Sequence, residues 1–437
     1  VTLIDLGEVR GDREPEPAPR PPRAVGRPLR VALAGVLALF VLASSAPVAR
    51  PASAVLGGQL GSQVVVLGGR VYVLAPEVGS GGSREVTAHG TPAGAGAGIR
   101  TLWHMAVAST GRLVGVQERD GVALLVDYQP DGVETIAVDA ATGERRWQQA
   151  GYPALAAGGG LLLLGDDVER GELRSVDPTS GRVRWSVPGH LGWAAFDDRD
   201  ADGAAEQVAL VTAAGGIELR DAVSGAVRAG LAAPPGGWQG SLQVEVAGDL
   251  LLASEQDEEE GEVRRVTAYG LAGLDRRWAV ERPSFGYAGA CGAVLCAVAY
   301  RGSGLSGLDP ATGGVRWTNP RWQTVVAVRG DRLLAIADDQ AGGTTSHLGV
   351  LDAATGREVA DLGRWDLAFS RTPDGPYYGT RPDRDGGGLV VAELDLAGAA
   401  VRLRDVLPGA AGDCAADGRD IVCRRQSGTY GWWRLPA

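Results

Sequence analysis

From residue 63 onward the chain alternates short apolar runs with clusters of Gly, Asp, Ser and Thr. Typical runs are Val71-Tyr-Val-Leu74, Leu161-Leu-Leu-Leu164, Leu250-Leu-Leu-Ala253 and Leu333-Leu-Ala-Ile336. Each follows a turn signal: Gly68-Gly69, Gly158-Gly-Gly160, Gly248-Asp249 or Gly330-Asp331. Runs this short, closed off by turn residues, predict buried β-strands and not helices.

A second pattern is more specific. Ile136-Ala-Val-Asp139-Ala-Ala-Thr142-Gly143-Glu-Arg-Arg-Trp147 reads as a strand, a tight turn and a returning strand that ends in Trp. The Asp carboxylate suits capture of turn N–H groups, and the Gly is free to take φ > 0. Trp147 stands eight residues past the Asp, so the returning strand is expected to fold it back over the turn. The turn recurs at Asp177–Gly181, Asp221–Gly225, Asp309–Gly313 and Asp352–Gly356, with leading Asp residues 38, 44, 88 and 43 apart. A degenerate copy, Val266 to Trp278, sits inside the double gap. Trp185 and Trp317 hold the same place as Trp147, whereas Ala229 and Ala360 replace it in two copies.

A hairpin plus this turn unit makes four strands in about 40 residues, a repeat whose two apolar faces must be covered by its neighbours. The fold class is therefore all-β, an eight-bladed β-propeller with seven blades as the runner-up. Unit starts fall near residues 63, 105, 151, 190, 240, 286, 322 and 363. The terminal piece Cys414–Leu435 is expected to pair with the first unit and close the ring, which removes free sheet edges.

The phrase ending in Trp147 resembles the Trp-docking motif of quinoprotein-dehydrogenase-like (PQQ-like) propeller repeats, over residues 63–437. The resemblance implies that Trp147, Trp185, Trp278 and Trp317 pack between neighbouring blades and against the turn. It also implies three functions: a PQQ-dependent dehydrogenase, a non-catalytic scaffold similar to the BamB-type outer-membrane assembly factor, and the sensor of a kinase. Fold alone does not choose among them. The dehydrogenases use a disulfide between adjacent cysteines, a calcium ion and a catalytic Asp. This chain has no Cys-Cys pair and is shorter than the usual enzymes of that type, so PQQ is not expected. The reading taken is a non-catalytic, BamB-like scaffold, with the dehydrogenase as its alternative. Protein partners are expected on a blade face or in the central funnel.

Before the repeats, residues 1–30 are Pro-rich and charged and are expected to be a disordered cytoplasmic tail too short for a kinase domain. Val31–Ala49 is uncharged, preceded by Arg20, Arg23, Arg27 and Arg30. The positive-inside rule keeps the N-terminus cytoplasmic and exports the rest. The segment reads as a single-pass anchor or as a signal peptide cleaved at Ala52-Ser53-Ala54, which would release the protein. Residues 50–62 are expected to be linker. No Cys precedes residue 291, so a lipoprotein anchor is not expected.

The net charge of −11 excludes a basic nucleic-acid footprint. All 42 basic residues are Arg, and the chain opens on Val1; together these read as a GC-rich bacterial coding bias with a non-standard start. The four cysteines form two local pairs, Cys291 with Cys296 and Cys414 with Cys423, which read as hairpin disulfides of an oxidising compartment. His89, His104, His190 and His347 are scattered, without metal-ligand spacing. The acidic run Glu255–Glu262 reads as a solvated hairpin tip. Trp432-Trp433 occupies successive strand positions, which makes it a contact candidate, with core packing the preferred reading.

One unrepeated motif remains. Phe196 to Glu206 contains Asp198-x-Asp200-x-Asp202-Gly203, oxygen ligands at alternate positions before a Gly turn, an arrangement that wraps Ca²⁺. It is not an EF-hand, since Ala209 stands at position twelve. It resembles the calcium loops of FG-GAP/integrin-type blades, which implies Asp198, Asp200, Asp202 and Glu206 as side-chain ligands and Ala204 as a carbonyl donor. The competing reading is a solvated acidic loop. A calcium ion there would be structural.

Overall fold

The computed structural model describes residues 33, 52–76, 82–92, 98–109, 111–165, 171–188, 190–197, 203–238, 240–257, 262–281, 283, 285–299, 304–337, 345–370 and 375–436. The chain divides into two units, Val1–Arg50 and Pro51–Ala437. Of the first, Leu33 alone is described, helical and exposed, so the apolar span at 31–49 lies outside the described residues. Among the described residues, no helix is long and apolar enough to cross a membrane.

The second unit is built of antiparallel strands. Six four-stranded sheets follow one another along the chain, over 63–108, 112–150, 152–188, 190–231, 241–281 and 285–319. In each, consecutive strands pair in chain order. The seventh and eighth units, at 322–365 and 366–408, have the same meander but share one 13-residue strand, Glu358–Ser370. Its first part pairs outward with Ser346–Leu351 and its second with Tyr378–Thr380. The outer strand of one blade thus becomes the inner strand of the next without a loop. All eight expected units are present, but the second starts at Arg112, because residue 105 lies in the last strand of the first, Arg100–Ala108.

Closure differs from the expectation. The strands Ala410–Asp417, Asp420–Arg425 and Tyr430–Arg434 do not join the first unit's sheet. They take Ser53–Leu56 as their fourth strand, with Ser53 opposite Trp433 and Leu56 opposite Tyr430. Both ends of the domain therefore meet in a composite closing sheet, the ninth four-stranded element of the ring, between the eighth unit and the first. The stretch expected as a linker over 50–62 contains this strand.

The core is divided accordingly. Each junction between neighbouring sheets holds its own apolar layer, because a sheet buried on both faces needs a partner on each side. Tyr72, Val86 and Trp103 of the first unit meet Val116 and Leu125 of the second. At the closing sheet, Trp432 faces the first unit with Val71 and Val73, while Trp433 faces the eighth with Leu389 and Val391. Both indoles are at most 2% exposed, so the pair belongs to the core and not to a contact surface.

Candidate functional site

The repeated turn is a joint between blades. Asp139 Oδ1 accepts from the N–H groups of Ala141 and Thr142 at 2.9 Å, and Arg146 Nη2 donates to Oδ2 at 2.6 Å. Gly143 closes the turn at φ +74 through its N–H to the Asp139 carbonyl, 2.8 Å. The Asp-to-Arg pair seven residues apart recurs as Asp177–Arg184, Asp221–Arg228, Asp309–Arg316 and Asp395–Arg402. At Asp352 position seven is Val359, and Arg332 from the adjoining hairpin substitutes at 3.0 Å. The Arg146 bond and the Thr142 N–H hold the Asp139 carboxyl down at about 2. Asp177 and Asp221 are held there first by the Ser180 and Ser224 N–H groups, with Arg184 and Arg228 adding.

The tryptophans dock on the next unit's turn, not on their own as the spacing had suggested. Trp147 Nε1 donates to Pro178 O at 2.8 Å, Trp185 to Val223 O at 3.0 Å, Trp278 to Pro310 O at 2.8 Å and Trp317 to Ala353 O at 2.9 Å. Each ring lies over the turn Gly of that next unit: Gly181, Gly225, Gly313 and Gly356. The packing between blades implied by the resemblance is thus present, with the four expected residues carrying it.

Trp103 is a fifth member, not among the residues that the repeated phrase predicts. Its Nε1 donates to Ala140 O at 3.0 Å and its ring covers Gly143. The first unit has no Asp turn of its own, so Trp103 follows no copy of the repeated phrase. The interval from a Trp forward to the next turn Asp is 30 to 36 residues in the other four joints and 36 for Trp103, which is the signal that includes it.

Both disulfides form as paired, Cys291–Cys296 and Cys414–Cys423, with Cα separations of 5.5 and 4.1 Å. Each crosses the hairpin between the two inner strands of its sheet.

Of the calcium-loop candidates, Asp198, Asp200 and Asp202 lie outside the described residues. Glu206 is described and half-buried, its carbonyl accepting from the Ala222 N–H at 3.0 Å. Just before it, Ala205 bonds the preceding blade in both directions, to Leu155 O at 2.8 Å and from Ala157 N at 2.9 Å. The exit of the acidic loop is therefore tied to the joint between the third and fourth units. No group of three or more metal-binding side chains occurs among the described residues.

The second acidic run is less solvated than expected at its start. Glu255 is 3% exposed, with Arg265 Nη1 at 3.7 Å, and Asp257 pairs with Arg264. His89 is buried, its Nδ1 3.2 Å from Thr101 Oγ1, and burial lowers its pKa. His347, isolated in sequence, meets Asp361 at 2.7 Å and Arg321 at 3.0 Å, with Glu358 also on Arg321 at 2.6 Å. Strand pairing brings this quartet together across 40 residues, which no local motif records.

A pocket of about 500 Å³ opens beside the closing sheet. The inner strands of the first, second, eighth and closing sheets line it with Val64, Val66, Val114, Leu367 and Ala415, and with the two carboxylates Asp366 and Asp413.

Residues 42–190, less than half of the 437, match the family model described as outer membrane protein assembly factor BamB. A comparison with curated protein sequences finds no match. Among solved structures, BamB from Moraxella catarrhalis is 16% identical with a TM-score of 0.45, covering 88% of this chain and 97% of that one. The C-terminal WD40 domain of Sif2 is 11% identical at a TM-score of 0.42, covering 88% and 97%. A europium-containing methanol dehydrogenase is 14% identical at a TM-score of 0.40, covering 87% and 85%. Its repeats and joints make the chain an all-β propeller, and residues 42–190 are the segment in which it is similar to the BamB family model.

Proposed function

We propose that the chain is a non-catalytic interaction scaffold, held at a membrane by residues 31–49 with the propeller on the extracytoplasmic side. The observation that carries this reading is how the motif chemistry is used. The repeated Asp, Arg, Gly and Trp residues satisfy one another at the blade joints. All four cysteines go into two hairpin disulfides, which suits an oxidising compartment.

The closing strand supports retention of the anchor. Ser53 and Ala54 pair with Trp433 and Trp432, and the Arg434 N–H donates to Ala52 O at 3.0 Å. Cleavage at Ala52-Ser53-Ala54 would cut the strand that closes the ring. N-terminal sequencing of protein recovered from membranes tests this: a mature end at Val55 contradicts it.

We also propose that the loop Asp198–Glu206 holds a structural calcium ion at the joint of the third and fourth units. The scaffold reading itself is tested by cross-linking the full chain in its membrane and identifying partners. The rival is tested by adding PQQ and calcium and following dye reduction with alcohols. Turnover that needs PQQ would overturn the non-catalytic reading.

A further inference from the structure

The pocket beside the closing sheet has a chemistry that the scaffold reading leaves unassigned. Its walls are aliphatic: Val64 and Val66 from the first unit, Val114 from the second, Leu367 from the eighth and Ala415 from the closing sheet. Its charged groups are two carboxylates. Asp413 is held by Arg424, Nε to Oδ2 at 2.5 Å. Asp366 is half-buried, and among the described residues no side chain or N–H bonds its carboxylate. The nearby polar groups look elsewhere: Tyr430 Oη donates to Ser62 O at 2.5 Å, and the Gln63 amide sits with Arg112 and Leu113 O.

The two carboxylates are held differently. Asp413 sits at φ +48, which Asp tolerates, where the register of its strand shifts. Asp366 is left facing a like charge within partly apolar walls, and burial, with Asp413 adding, pushes its carboxyl up. A half-buried carboxylate without a counter-charge is an unfavourable arrangement that a bound cation relieves.

We propose that this pocket receives a basic side chain, arginine or lysine, from a partner polypeptide, with the aliphatic stem on the valines and Leu367 and the cationic head on Asp366. The pocket volume falls in the range of small-ligand sites and exceeds what one such side chain fills. A stem of methylenes ending in a charge matches a wall of that composition. The inference rests on the scaffold reading for its source of the cation.

The test is isothermal titration of the full chain in detergent with the capped peptide Leu-Arg-Leu and with its citrulline counterpart, which has the same shape and no charge. The arginine peptide is expected to bind at least tenfold tighter than the citrulline one. Asp366→Asn should remove that preference and Asp366→Glu should keep it, with melting curves confirming that both variants fold. Equal binding of the two peptides to the wild type, which needs no variant, overturns the proposal. So does unchanged arginine binding in a folded Asp366→Asn. Spermidine binding tenfold tighter than the peptide would overturn the polypeptide source. None of these outcomes bears on the PQQ assay, so failure here is distinct from failure of the scaffold reading.

Discussion

Trp317 of the sixth unit lies flat over Gly356 of the seventh, so close that a Cβ on Gly356 would stand 2.3 Å from the indole Cε3. The same relationship holds for the other four Trp–Gly joints. The fourth and seventh units, where Ala229 and Ala360 replace the Trp, provide a natural control. In the turns that follow them, the position equivalent to Gly356 is Leu274 at φ +56 and Ala399 at φ +49. The glycine is present where an indole covers it and absent where none does. Close approach, more than backbone freedom, is what demands it.

That contrast is directly testable. Gly356→Ala should cost about 3 kcal/mol or more, because the added methyl must displace a packed indole. Ala399→Gly should change stability by less than about 1 kcal/mol. Denaturant melts of the two variants measure both, and equal effects would refute the close-approach argument. Trp317→Phe should cost roughly 1 kcal/mol beyond lost packing, for the bond to Ala353 O.

Acid should weaken the joints in a defined window. Asp139, Asp177 and Asp221 titrate at about 2 in the folded protein against 3.8 for the free group. Between those values the unfolded chain binds more protons than the folded one. The contribution is therefore fully present above about pH 4 and is lost as pH falls toward 2. These turns are largely exposed, so each share is small. The melting temperature should fall across this window, and replacing all three with Asn should flatten the fall.

Closing the ring should depend on the strand Ser53–Leu56. Leu56 is 2% exposed and packs with Tyr430 and Trp432. Leu56→Asp buries an unpaired charge beside those rings and should cost about 3 kcal/mol or more. A chain beginning at residue 57 should melt lower than one beginning at residue 51. Matching melts would show that the closing sheet holds without its fourth strand.

Reduction should act through the closing sheet as well. The Cys414–Cys423 bond closes a short loop, so replacing both residues with Ser should lower stability by about 2–3 kcal/mol. Free thiols on protein recovered from membranes, detected by alkylation and mass spectrometry, would contradict both the pairing and the exported location.

The calcium proposal predicts that wild-type melts with calcium and with chelator differ, whereas those of Asp200→Ala coincide. Coincident wild-type melts remove the ion from the account.

Local sequence sets the repeat, the four-stranded unit, both cysteine pairs and the unit starts, except that the second unit begins at Arg112 and not near 105. These are local matters: strand alternation, turn residues and hairpin spacing act over a few residues, and five copies of one turn remove ambiguity. Tertiary structure decided what crosses between units. Trp147 was legible as a joint residue, yet its partner is Gly181, because each indole reaches forward to the next blade. Trp103 stands outside the repeated phrase because its own unit has no Asp turn, and the turn it covers belongs to the next unit. Both Trp432 and Trp433 are buried because a blade has two covered faces, a fact of ring closure and not of strand alternation. Asp366, Asp413 and the valines that line their pocket lie in strands from opposite ends of the domain, and only the meeting of those ends at the closing sheet puts them around one cavity.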